Sequence, residues 1–429
     1  MNIGRCDAFD SPIGLAWALV KRHKQRKQIR KIQKGNVEAQ GIIEYNPIQI
    51  EAFFDNTEPI GNILISGENE YIRYRALARS VECAYSQGYV PVVIHAGNYN
   101  LENYLVKCFG TVNVSYLNGQ FPYYEPFRGL NDNQICHIIM NSTTDKYEIK
   151  GTGKYYIDGI SGFMRAKGIL PYLWMYITCP HMKLSDLIND EVEKGTITDD
   201  IARILLSQIV QGELERGNIE NFFAELRNEA EYIIAKKNNL RNAVNIMKTA
   251  TMRGAVAIDL RAAKNELLLN LLMSEIEMLQ SQGEKVFLCF DSIPVVNNQL
   301  VERYAQSAGS QSVLCLSGTD VYSEFGGDDK LFYSVVGKAS KILILKHMSS
   351  YSCQKFSEIV GEYDKQEIND TYTDNTNLIG NFSYSMTSSK NISVKRESII
   401  KPEEIARLRN DEIFILDNCN GELVHTVIV

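Results

Sequence analysis

Two segments of this 429-residue chain place chemically capable residues where a nucleotide could be handled, and both depart from a working pattern. The apolar run Asn62-Ile63-Leu64-Ile65-Ser66 enters Gly67 and continues as Glu68-Asn69-Glu70-Tyr71-Ile72-Arg73-Tyr74. A phosphate-binding loop, G-x-x-x-x-G-K-S/T, uses glycines so that successive backbone N–H groups wrap the phosphates. Its lysine bridges the terminal phosphates and its hydroxyl holds magnesium. In register with Gly67, the second glycine is replaced by Ile72, the lysine by Arg73 and the hydroxyl by Tyr74. A β-branched Ile72 resists positive φ, and Glu68 and Glu70 would set negative charge beside the phosphates. Arg73 could still pair with an anion, whereas Tyr74 is a poor geometric substitute for a magnesium-bound hydroxyl. Gly67, Arg73 and Tyr74 are thus the residues of a degenerate phosphate loop, and ATP and magnesium are disfavoured as cofactors.

The second segment is the run Val286-Phe287-Leu288-Cys289-Phe290, which ends in Asp291-Ser292 where a hydrolysing ATPase would usually have two acids. A carboxylate at a strand end is the usual contact for magnesium, so Asp291 is either that contact or a polar strand terminus. Ser292 cannot act as a carboxylate base. Thr319, following the strand 312–316 and Ser317-Gly318, occupies a sensor-like position, and with Asp291 it completes the candidate catalytic set. The fragment Gly151-Thr152-Gly153-Lys154 lacks the first glycine of the full spacing and reads as a turn. The six histidines show no metal-ligand spacing. The nine cysteines are scattered without a C-x-x-C pair, which argues against zinc or a disulfide framework and for free thiols in a reducing compartment.

The elements that would position these residues alternate strands with helices from about residue 41, the signature of an α/β fold with a mainly parallel sheet flanked by helices. The strand 62–66, a helix over 70–87 and a strand over 90–94 make one βαβ unit. Buried runs at 254–260, 285–290, 312–316 and 341–345 continue the same sheet, and 111–115 and 134–140 are weaker elements. Between 162 and 248 the pattern is helical. Ile201, Ile204, Leu205 and Ile209 share one face, as do Phe222, Leu226, Ala230 and Ile233. The expected organisation is an N-terminal apolar and basic segment with a lead-in strand (1–60), a first sheet portion (61–161), an all-α insertion domain (162–248), and a second sheet portion with C-terminal strands (249–429). Acidic residues outnumber basic ones between 186 and 231, which suits a solvated face or a basic protein partner better than phosphates. The stretch 365–391, rich in Asn, Thr, Ser and Asp, reads as an exposed loop or linker.

Formal charge is −7, yet Lys21, Arg22, Lys24, Arg26, Lys27, Arg30 and Lys31 form a basic run near the N-terminus. It is either a solvated helix face or a contact to an anionic membrane surface or nucleic acid. The preceding apolar stretch 13–20 is eight residues long, against about 20 for a membrane-spanning helix. It is also a poor signal peptide, because its charges follow the apolar run. A cytoplasmic protein without a transmembrane span is expected, with the cytoplasmic face of the membrane as an alternative setting.

Taken in order, these landmarks resemble the cytoplasmic part of type IV secretion coupling proteins, the TraG/TraD family of FtsK/HerA-like ATPases, over roughly residues 60–429. After the phosphate-loop position comes Y-E-P-F-R-G-L at 124–130, similar to the family's N-P-F-x-x-L. The helical insertion follows, then Ala257-Ile258-Asp259-Leu260, the Asp291 strand with Ile293-Pro294, and Ser317-Gly318-Thr319 where the family often has A-T-Q. The stretch G-K-A-S-K-I-L-I-L at 337–345 looks like the family's G-N-x-x-x-K-I-x-L strand, and F-S-E-I-V-G-E-Y at 356–363 like its F-S-E-L-L-G-E-Y helix. The ending K-R-E-S-I-I-K-P-E-E-I-A-R-L at 395–408 is similar to its R-x-L-L-x-P-x-E-I-x-x-L close. The resemblance implies a RecA-like domain, an ATP-driven ring, and delivery of DNA or protein to a conjugative or secretion channel. The family's transmembrane N-terminus has no counterpart here, and both nucleotide motifs depart at catalytic positions.

Three readings stand open at this point. The chain is a pseudo-ATPase that recruits or scaffolds within a DNA-transfer or secretion machine, as a homo- or hetero-oligomer that could include an active ATPase paralogue. It is a divergent ATPase using Arg73 and Asp291. Or it is a nucleic-acid or partner-binding module of another pathway.

Overall fold

A computed structural model of the chain describes residues 12–54, 58–110, 113–260, 266–292, 304, 312–375 and 385–429. Five adjacent hydrophobic runs form its centre: β2 (Asn62–Ser66), β3 (Val90–His95), β5 (Ala255–Asp259), β6 (Val286–Asp291) and β7 (Ser312–Gly318). Every residue of these strands is buried. Their near-continuous apolar sequence is what a parallel strand covered on both faces requires. With β1 (Ile42–Glu44), β4 (Val114–Leu117), β8 (Ala339–Ile344), β11 (Glu412–Asp417) and β12 (Glu422–Val427) they make a ten-stranded sheet. Its order is β1-β12-β11-β8-β2-β7-β6-β3-β5-β4. From β8 to β4 all pairs are parallel, and β11 runs antiparallel to both of its neighbours.

The two-residue period of a strand sends alternate side chains to opposite faces. Leu64, Val92, Ile94, Val256, Ile258, Leu288, Phe290, Leu314 and Leu316 belong to one core. Ile63, Ile65, Val93, Ala257, Phe287, Cys289, Val313 and Cys315 belong to the other. The second core is closed by α2 (Glu70–Ser86) and α3 (Tyr99–Phe109), through Ala76, Leu77, Val81, Leu101 and Leu105. The first is closed by the helices between β4 and β5 and by α11 (Glu266–Ser281).

Those intervening helices run from α4 (Asp132–Asn141) through α5 (Gly153–Ala166), α6 (Leu173–Ile177), α7 (Leu184–Glu193), α8 (Asp199–Gly212) and α9 (Arg216–Ala230) to α10 (Ile246–Thr251). They extend to both sides of the interval 162–248, and the weaker element 134–140 lies inside α4. Gly212 lets α8 close on α5, since a Cβ there would lie 2.5 Å from the Tyr156 backbone nitrogen. Of the four residues assigned to one face of α8, Leu205 and Ile209 are buried, and Ile201 and Ile204 remain 41% and 61% exposed.

The described parts of the stretch expected to be a loop, 365–375 and 385–391, are built differently. Residues Glu362–Asn375 (β9) and Ser385–Ser398 (β10) pair antiparallel along their full length as a two-stranded ribbon. The 29-residue helix α1 (Pro12–Gln40) lies against β9. There the Asn36 side chain donates to the Gln366 carbonyl at 2.9 Å and accepts its N–H at 2.9 Å.

A buried polar pin joins the segment after β4 to α10 and α11. Tyr124 donates its hydroxyl to Glu275 on α11 at 2.6 Å, and the other Glu275 oxygen accepts the Ile246 N–H at 2.9 Å at the start of α10. Glu125 accepts the N–H groups of Phe127 and Leu173, both at 2.9 Å. Burial pushes both carboxyls up to about 8. Their folded-state values lie above the unfolded ones, so the folded chain holds extra protons between about pH 4.5 and 8. Their stabilising contribution is therefore complete below that window and is lost as pH rises through it. Denaturant titrations across pH 5–9 should show stability falling toward alkaline pH, with the slope reduced in Glu275→Gln, which keeps hydrogen-bonding capacity but cannot ionise.

Candidate functional site

In a parallel sheet the carboxyl ends of the strands gather at one edge, where ligands of such folds bind. Here that edge brings together Ser66-Gly67 from β2, Asp291 from β6, Gly318-Thr319 from β7, His95 from β3 and His347 after β8. Gly67 has φ +139°, and a Cβ there would lie 2.5 Å from Leu345 Cβ. Its glycine is required by the close passage of the neighbouring strand end.

Beyond Gly67 the backbone does not form a wrap. Asn69 is the N-cap of α2, its side chain accepting the Ile72 N–H at 3.1 Å, and the helix is under way by Glu70. The Gly67 N–H donates to Gly318 at 3.1 Å and the Glu68 N–H to Lys346 at 3.0 Å. Donors that would face a phosphate are thus spent on neighbouring strands and on the helix's own cap. The Asn69 side chain also donates to the Asn410 carbonyl at 2.6 Å. Tyr74, one turn into the helix, packs edge-on against Tyr104 with ring centroids 6.2 Å apart. That contact is to α3.

Arg73 and Asp291 meet each other. Arg73 Nη1 lies 3.1 Å from Asp291 Oδ1, with the two residues each 5% exposed. Ser317 donates its hydroxyl to the same oxygen at 2.8 Å, and Asn98 Nδ2 donates to Oδ2 at 3.1 Å. Arg73 Nη2 reaches Thr319 Oγ1 at 3.5 Å, while its buried Nε has no hydrogen-bond partner among the described residues. The sequence-derived set therefore divides. Arg73, Asp291 and Thr319 converge with Gly67 at one edge, and Tyr74 is directed elsewhere.

Sequence reasoning did not find the groups that complete the site. Asn98 caps α3 through Leu101 and also holds Asp291. His95 Nδ1 accepts the Asn98 N–H at 3.0 Å, so the ring proton sits on Nε2, 3.1 Å from Glu102 Oε1. Glu324 fills the space at Gly318, where any Cβ would meet its carboxylate. Burial, reinforced by Asp291 and opposed by Arg73, pushes Glu324 up to about 9, so it is neutral near pH 7. His347 is buried and stacked on Phe356 at 4.9 Å, and burial lowers it to about 4. A polar residue directly after an apolar run, as His95 follows 90–94, was the available signal; the pairing partners were not readable.

The basic run lies on α1. Lys24, Arg26, Lys27, Arg30 and Lys31 are exposed there, and the side chains of Lys21 and Arg22 lie outside the described residues, as do Ile293 and Pro294. Among the described residues no helix is long and apolar enough to cross a membrane, and no group of three or more acidic, His or Cys side chains is placed to hold a metal.

No family model and no curated protein matches the sequence. Solved structures do match over most of the chain. The unbound bacterial conjugative coupling protein TrwBdeltaN70 aligns with TM-score 0.54 at 12% identity, covering 89% of this chain and 90% of that one. The plasmid coupling protein TrwB with the non-hydrolysable ATP analogue ADPNP gives 0.53 at 11% identity, over 88% and 91%. TrwB with ADP and Mg2+ gives 0.50 at 13%, over 85% and 84%. The chain has the fold of these coupling proteins. The RecA-like architecture with its mainly parallel sheet is accordingly established, and at this identity the likeness extends to the fold alone.

The ion pair should dominate local stability. Arg73→Ala leaves a buried carboxylate without its cation and is expected to cost about 3–5 kcal/mol, whereas Arg73→Met combined with Asp291→Asn should recover most of that loss. A double-mutant cycle by urea denaturation tests this; additive single losses would show the pair to be uncoupled.

Proposed function

We propose that this chain is a coupling-protein-like subunit of a conjugative DNA-transfer or type IV secretion machine that recruits or scaffolds without hydrolysing ATP. The observation that carries the reading is that Arg73 and Asp291, at the phosphate-lysine and magnesium-carboxylate positions, neutralise each other at 3.1 Å within a buried network. The short Gly67-Glu68-Asn69 connection, whose first two N–H groups are already engaged, supports it further. The coupling-protein fold supports the setting: other proteins of the same machinery as partners, an active ATPase paralogue or further copies of this chain in an assembly, DNA as the transported cargo, and the cytoplasmic side of the membrane as the location.

One observation favours a second reading, a divergent ATPase. Arg73, Asp291 and Thr319 stand at the positions of a lysine, a magnesium carboxylate and a sensor and meet at one edge, and Arg73 Nε has no hydrogen-bond partner among the described residues. An incoming phosphate could draw Arg73 from Asp291.

Calorimetric titration with ATP-Mg and with a slowly hydrolysed analogue separates the two. The scaffold reading expects no binding up to millimolar nucleotide. Micromolar binding lost in Arg73→Ala would overturn it in favour of the ATPase.

A further inference from the structure

At the free edge of the sheet, β4 and α3 border a surface cleft of about 430 Å³ that lies apart from the Arg73–Asp291 edge. The volume is within the range of small-ligand sites, about 300–1,000 Å³. Glu102 lines it and is 7% exposed. Its carboxylate is held from two sides, by His95 Nε2 at 3.1 Å and by Asn118 Nδ2 at 2.9 Å. Asn118 is fixed in turn, its Oδ1 accepting the N–H groups of Gln120 at 2.9 Å and Phe121 at 3.0 Å. The acceptor is thus pre-set before anything binds.

The rest of the lining defines what would fit. Phe121 is 54% exposed, with its ring 6.4 Å from that of Tyr116. The amides of Asn103, Gln120 and Asn242 line the rim, and no lining residue is basic. One carboxylate with no cation among the lining residues repels phosphates and carboxylates and attracts a cation. A two-oxygen acceptor beside an exposed aromatic ring and amide carbonyls suits a planar cation with several in-plane donors better than a compact ammonium. We infer that this cleft is a guanidinium-binding site, taking an arginine side chain presented by a protein segment or the free amino acid.

The inference is independent of the nucleotide question. It has one internal consequence, because Glu102 is the last member of a chain that runs through His95 and Asn98 to Asp291. A guanidinium competing for Glu102 should perturb the His95 Nε2–H.

The test is calorimetric titration of the full chain with acetyl-Gly-Arg-Gly-amide, its lysine counterpart and free L-arginine, with the His95 ring followed by nitrogen-15 NMR. The arginine tripeptide should bind more tightly than the lysine one and shift the His95 signals. Phe121→Ala, a surface change that leaves the fold intact, should weaken it about two- to fivefold. Glu102→Gln should weaken it about ten- to a hundredfold. Preference for the tripeptide over free L-arginine assigns the site to a protein partner, and the reverse assigns it to the amino acid. No binding of either arginine probe at millimolar concentration, equal affinity for the lysine peptide, or unchanged affinity in Phe121→Ala would overturn the assignment.

Discussion

The arrangement at the carboxyl edge depends on one buried ion pair. A charge removed from water is tolerated only when a counter-charge and hydrogen bonds replace its hydration. Asp291 meets that demand with the Arg73 guanidinium, the Ser317 hydroxyl and the Asn98 amide. Those partners come from α2, β7 and the start of α3, so the carboxylate at the end of β6 ties together three further elements. In the parallel sheet these ends already lie side by side, with Asp291 in register with His95 and Ser317, and the pair adds α2 to that alignment.

The residue just before the arginine removes the loop. A glycine at position 72 would let the backbone turn through positive φ; an isoleucine disfavours that region and is readily accommodated in a helix. With Asn69 available as a cap, the helix starts at Glu70, and the residues that would have wrapped a phosphate become its first turn. Arg73 then projects from the first turn of α2 toward the strand ends rather than from the end of a loop. The early helix and the placement of Arg73 are consequences of one local sequence; the partner, Asp291, comes from a strand far along the chain.

How much of this was legible in the sequence follows from where each signal comes from. The central strands were readable because burial on both faces imposes apolar runs such as 286–290, and the βαβ unit from β2 through α2 to β3 was readable as well, although β7 and β6 lie between its two strands in the sheet. The ribbon β9–β10 was not readable: its residues are mostly polar, and Ile392 and Val394, among its few apolar ones, stand 47% and 61% exposed on it. On α8 the shared face was readable but its depth was not, since periodicity reports a shared side of the helix and not how far the neighbouring helix covers it: Ile201 and Ile204 stay exposed. Arg73, Asp291 and Thr319 were located from their positions after apolar runs. The Arg73–Asp291 contact spans 218 residues of sequence and the Arg73–Thr319 contact 246, and no local pattern encodes such separations.

A site neutralised from within behaves differently from one that waits for a ligand. An open phosphate loop faced by an unpaired aspartate is completed only by the nucleotide and its metal, so its geometry changes with occupancy. Here the cation and the carboxylate are both supplied by the chain, and a bound anion would have to compensate Asp291 for the loss of Arg73 before gaining any affinity of its own. Glu324, neutral beside Gly318, and His347, neutral against Phe356, fill the surroundings without adding charge that would upset the balance. An edge satisfied in this way holds one conformation through contacts that do not depend on a nucleotide cycle. That is what the scaffolding role proposed above would require of this edge.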